Sequence, residues 1–77
     1  MNEWKIKALR ESINGGRFEW ITIIDTKERE EAVETVKRLI KNMETFTEYI
    51  YENGTLYLKD TYVDGKLTDS REKNMPY

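Results

Sequence analysis

The chain has no cysteine, no histidine and a single proline among its 77 residues. Without cysteine there are no disulfides and no thiol nucleophile. Without histidine there is no imidazole base, and the usual ligand sets of zinc and haem are gone as well. Long apolar runs are also missing. The longest, Trp20 to Ile24, is broken by Thr22 and falls far short of a membrane span. Met1 to Lys5 carry no apolar stretch of the signal-peptide kind, so the expectation is a cytoplasmic protein with no membrane partner. Neither sign of charge dominates: 13 Lys plus Arg stand against 15 Asp plus Glu, for a net charge of −2.

Charged residues make up 36% of the sequence and aromatic residues 12%, and that aromatic content is too high for a disordered tail. The length allows one domain near the low end of what folds alone. Residues 1–69 are expected to form it. Residues 70–77, polar and containing the proline, read as a frayed tail.

The clearest element is a helix over about residues 27–43. Ala32, Val33, Val36, Leu39, Ile40 and Met43 recur at helical spacing and form one apolar stripe. Asp25 and Thr26 are candidate N-caps. Acids lead the helix and bases trail it, as its dipole favours, which accounts for Lys37, Arg38 and Lys41 without a ligand. After the helix, residues 45–52 and 55–63 are rich in β-branched and aromatic side chains and flank Asn53-Gly54, a hairpin turn signal. A regular two-residue loop sets Tyr51 opposite Leu56, Ile50 opposite Tyr57, Tyr49 opposite Leu58, and Glu48 opposite Lys59. Asp64-Gly65 is a second such turn, which would fold residues 66–69 back as a short strand with Leu67 facing Tyr62.

Before the helix, residues 17–24 read as a strand that is largely apolar on both faces. Residues 2–13 allow two readings. Trp4, Ile6 and Ala8 alternate as in a strand, whereas Ile6, Leu9 and Ile13 would make a helical stripe ended by Asn14-Gly15-Gly16. The strand is preferred because it gives the next strand an adjacent partner. The expected class is α+β: a small, mostly antiparallel sheet in the order ββαββ, with a short fifth strand and one amphipathic helix on one face. The alternative is αβαββ with an N-terminal helix.

The inventory for catalysis is thin. Ser12 and Ser70 have no base to activate them, and paired carboxylates need a cleft that a one-helix domain of this size seldom encloses. Asp60, Asp64 and Asp69 match no EF-hand spacing. Gly15-Gly16 precedes a strand, so it is not a phosphate loop. The expectation is a protein that is not an enzyme, with no cofactor and no metal.

One helix covers one sheet face, yet the strands carry apolar residues on both. If Ile21, Ile23, Tyr49, Tyr51, Leu56 and Leu58 face the helix, then Phe18, Trp20, Phe46, Ile50 and Tyr57 form a patch that needs cover. This points to a binding protein that works by protein–protein contact, an inhibitor or adaptor of phage or mobile-element type by analogy of kind alone. The expected contact residues are Trp20, Phe46, Ile50 and Tyr57, with Asp60 and Asp64 on an acidic rim that would steer a basic partner, such as a nucleic-acid-handling protein. A homodimer through Trp20, Phe46 and Tyr57 is expected on the same ground. The alternative is a single-stranded nucleic-acid-binding module that stacks bases on the sheet aromatics. Against it, residues 44–77 carry seven acids and only four bases.

Overall fold

The computed structural model describes residues 2–12 and 15–72. Five strands and one helix follow in the order β1 (Asn2–Glu11), β2 (Phe18–Thr26), α1 (Arg29–Lys41), β3 (Phe46–Glu52), β4 (Thr55–Val63) and β5 (Lys66–Glu72). The strands form one antiparallel sheet in the spatial order β2-β1-β3-β4-β5. The fold is α+β, as the residue pattern implies. Over residues 2–11 the strand reading holds and the N-terminal helix does not, because β1 pairs with β2 on one side and β3 on the other. The fifth strand reaches Glu72, so residues 70–72 belong to the sheet and not to a frayed tail. The rest of the expected tail, residues 73–77, lies outside the described residues.

The helix begins at Arg29 with Glu28 as its N-cap and no side-chain capping bond, so neither expected cap serves: Thr26 Oγ1 accepts the Glu28 amide at 3.0 Å, ahead of the first turn. Asp25, the other candidate cap, instead lies 3.8 Å from Lys5 Nζ. The helix ends at Lys41, short of the expected Met43, with Asn42 as its C-cap; Met43, just beyond, adopts φ 55°. The Met43 amide bonds to the Ile40 carbonyl and the Glu44 amide reaches back to the Leu39 carbonyl, each at 3.0 Å, closing the last turn. The Asp64-Gly65 turn docks on this end of the helix. Gly65 N donates to the Glu44 carbonyl at 2.9 Å, and Asp64 N donates to Thr45 Oγ1 at 3.2 Å. A Cβ on Gly65 would sit 2.7 Å from the Ile40 carbonyl oxygen, and its φ of 77° already favours glycine. Arg10 ties β1 to the same junction through a forked contact with Glu44, closest at 3.0 Å.

The helix packs on β1 and β2. Ile6, Ala8, Ala32, Leu39 and Phe46 are fully buried, with Trp4, Ile23, Ile24, Val36 and Tyr62 packed around them. Phe46 and Tyr62 stack with centroids 4.4 Å apart. Side chains paired directly across an antiparallel ladder share a face, so the register reads out both sides of the sheet. From Ile6 and Ala8, the helix side runs through Phe46, Glu48 and Ile50 to Leu58, Asp60 and Tyr62. The open side carries Lys5, Lys7 and Leu9, then Tyr49 and Tyr51, then Leu56 and Lys59.

This register corrects the regular hairpin. An irregularity between Ile50 and Tyr51 inserts Tyr57 as an extra residue. Tyr51 still faces Leu56, but Ile50 faces Leu58, Tyr49 faces Lys59, and Glu48 faces Asp60. The faces of β3 are also the reverse of the expected ones: Phe46 and Ile50 point to the helix side, while Tyr49 and Tyr51 point away. Phe46 sits opposite Ala8 at the centre of the core, which fixes that choice. The expected pairing of Leu67 with Tyr62 is present.

Candidate protein-contact site

Because the helix lies over β1 and β2, the β3–β5 half of the same sheet face runs beside it with no covering layer among the described residues. Ile50, Leu58, Glu48, Asp60 and Tyr62 line this strip, all half-buried, with Trp4 next to Ile50 on β1. The middle of the strip is acidic. Glu48 is flanked across the ladders by fully buried Ile6 on one side and by Asp60 on the other. Asp60 accepts a hydrogen bond from Ser70 Oγ. Glu48 forms no side-chain hydrogen bond or ion pair with any of the described residues.

Burial, and secondarily the Asp60 charge, push the Glu48 carboxyl from 4.5 up to about 7. The Tyr62 hydroxyl is raised as well, first by burial and then by Asp60 and Glu48. Two carboxylates directly opposite each other weaken a sheet, and a carboxylate beside apolar Ile6 weakens it further. What the arrangement can do is attract a cationic group while presenting Ile50, Leu58 and Tyr62 for apolar contact. Among the described residues, no group of three or more acids is placed to hold a metal ion.

The six expected contact residues do not share one surface. Phe46 is 0% exposed and packs in the core, so it cannot touch a partner or a symmetry mate. Ile50 and Asp60 lie on the helix-side strip. Trp20 is on the open side, paired with Leu9, and Tyr57 sits at the bulge of β4. Asp64 is in the β4–β5 turn at the end of the helix. Nor do Asp60, Asp64 and Asp69 converge, since Asp69 pairs with Thr61 on the open side. The sequence reading missed Glu48, Leu58 and Tyr62 as members of the site, because the regular register gave Glu48 a lysine partner. Across the sheet, Lys5 Nζ lies 5.8 Å from the Tyr51 ring centroid and Lys59 Nζ 5.6 Å from that of Tyr49. Lys37, Arg38 and Lys41 are exposed on the helix, with Arg38 and Lys41 in its last turn. No helix of the described residues is long and apolar enough to cross a membrane. The chain matches no protein-family model, no curated protein and no solved structure.

Proposed function

We propose that this chain is a non-enzymatic binding protein that acts by contact with a basic segment of another protein, as an inhibitor or adaptor of the phage or mobile-element kind. One observation carries the reading: Glu48 and Asp60 face each other in a half-buried strip, where they cost stability and, among the described residues, meet no cation and no covering element. Local features that weaken a fold tend to be kept where function uses them. A Lys or Arg side chain laid between them would offset the repulsion, while its apolar neighbours cover Ile50 and Leu58. A nucleic-acid-handling protein, whose binding surface is basic, is a partner of the right charge.

The test uses isothermal titration with a Lys/Arg-rich peptide containing aliphatic residues, against wild type and a Glu48→Gln/Asp60→Asn variant. Salt-sensitive binding that weakens at least tenfold in the variant supports the reading. Equal binding by both proteins rejects it.

The second reading is single-stranded nucleic-acid binding on the open face, where lysines 5 and 59 lie over Tyr51 and Tyr49. Oligonucleotide binding that is lost in Lys59→Glu and unaffected by Glu48→Gln would favour it.

A further inference from the structure

The two edges of the sheet are unlike. β5, at one edge, carries Lys66, Asp69, Arg71 and Glu72 along its length. Charged side chains of this kind are how sheets keep strangers off an edge. β2, at the other edge, has exposed residues throughout 18–22, and Glu19 is the only charge among them. Phe18 is 68% exposed, Trp20 51% and Ile21 41%. Those three lie on both faces of the strand, with Trp20 and Phe18 on the open side and Ile21 on the helix side. Among the described residues, no strand lies beside the outer backbone amides and carbonyls of β2. We propose that β2 pairs edge to edge with β2 of a second copy, antiparallel, with Trp20 on the two-fold axis.

The register follows from charge and face. With Glu19 on the axis, the two Glu19 carboxylates would oppose each other. With Thr22 on the axis, Glu19 would meet Asp25 and Arg17 would meet Lys27, like charges in both cases. With Ile21 on the axis, Phe18 would meet Ile24. The extra residue Ile23 turns Ile24 to the helix side, whereas Phe18 is on the open side. With Trp20 on the axis, Trp20 meets Trp20 of the second copy, Phe18 meets Thr22, and Glu19 meets Ile21, with no like pair and every face matched. The aromatic rings then form one cluster continuous with Leu9 on the open side. A copy is favoured over an unrelated strand because this stretch is complementary to itself under a two-fold. The charged β5 edge stops further addition, so the assembly closes as a dimer with a ten-stranded sheet and does not grow into a fibre.

This inference is independent of the acidic strip, which lies on β3 and β4. The experiment is sedimentation equilibrium over micromolar to millimolar protein, together with a register test made possible by the absence of native cysteine. Wild type should give twice the 9.3 kDa chain mass. Trp20→Lys should return it to the monomer mass and keep the far-ultraviolet circular dichroism of the wild type, because Trp20 is half exposed and outside the core. A mixture of Phe18→Cys chains with Thr22→Cys chains should cross-link with a short thiol reagent, and Thr22→Cys alone should cross-link at least tenfold less. A monomer at every concentration overturns the proposal. So does a dimer that survives Trp20→Lys, or one in which Thr22→Cys alone links as well as the mixture.

Discussion

Replacing Glu48 with Gln should make the protein more stable at alkaline pH and leave it unchanged in acid. The carboxyl is held at about 7 in the folded chain, against 4.5 when free, mainly because the fold removes it from water beside Ile6 and secondarily because Asp60 faces it. A fully sealed group shifted that far would cost about 3.4 kcal/mol once ionised. Glu48 is only half-buried, and solvent screening brings the figure to about 1–2 kcal/mol. The sign follows from proton counts. Between 4.5 and about 7 the folded state binds more protons than the unfolded state, so wild-type stability falls as pH rises through that window. Gln keeps the shape and polarity without the charge, so the variant does not fall for this reason. Urea unfolding of both proteins from pH 4 to pH 8.5 measures the difference. It should be near zero below pH 4.5 and level off at about 1–2 kcal/mol above pH 7.5, equivalent to about 4–16 °C in melting temperature for a domain of this size. A difference independent of pH would refute the reasoning, since it would mean that ionisation of Glu48 costs the fold nothing.

Leu39→Ala should cost about 2–5 kcal/mol, because Leu39 is 0% exposed between helix and sheet, while Leu58→Ala on the uncovered strip should cost about 1–2 kcal/mol. Paired urea melts check the order, and equal losses would contradict the half-covered face. Gly65→Ala should be worse than Gly54→Ala by about 1–2 kcal/mol, since both have positive φ but only Gly65 would drive a Cβ to 2.7 Å from a helix carbonyl. Affinity for the basic peptide should rise with pH through about 7, as Glu48 ionises, and the Glu48→Gln variant should lose that rise while keeping any contribution from Asp60.

Much of the fold is legible in the residues because local chemistry and global topology agree. Asn53-Gly54 and Asp64-Gly65 adopt the positive φ values that their turn type requires, so both hairpins lie where the dipeptides place them. The helical stripe leads to Ala32 and Leu39 in the core. What alternation cannot reveal is a bulge. Tyr57 is a good strand residue, and nothing in its type marks it as the extra one. Yet its insertion slides the pairing by one and exchanges a Glu48–Lys59 pair for Glu48–Asp60. The face assignment failed for a related reason. Tyr49 and Tyr51 are as good core candidates as Phe46 and Ile50. The choice between them is made by β1, where Ala8 leaves room opposite Phe46 for a ring. The site reading grouped six residues that the topology puts on two faces and a turn. Edge character was equally hidden, because β2 becomes an edge only when the crossover through α1 brings β3 to the far side of β1.

The two proposed surfaces have a geometric consequence when combined. In antiparallel edge pairing the two-fold axis runs perpendicular to the sheet, so both copies keep their helix side on the same side of the joined sheet. The β2 strands meet in the middle, and the acidic strips on β3 and β4 lie toward the two outer ends. Such a dimer presents two identical cation-binding strips facing one way. It should therefore bind a protein that carries two basic segments far better than a single segment, because the second contact is made at a high effective concentration. The measurement compares a one-segment peptide with a flexibly linked two-segment peptide. Wild type should prefer the linked peptide by about 10²-fold or more. Trp20→Lys should abolish that preference and leave the one-segment affinity unchanged, whereas Glu48→Gln/Asp60→Asn should weaken both peptides. If Trp20→Lys lowered the one-segment affinity as much as the linked one, β2 would itself be part of the contact and the two surfaces would not be separate. If the linked peptide gained nothing over the single one with wild type, the strips would not face the same way, and the edge-to-edge geometry would be wrong.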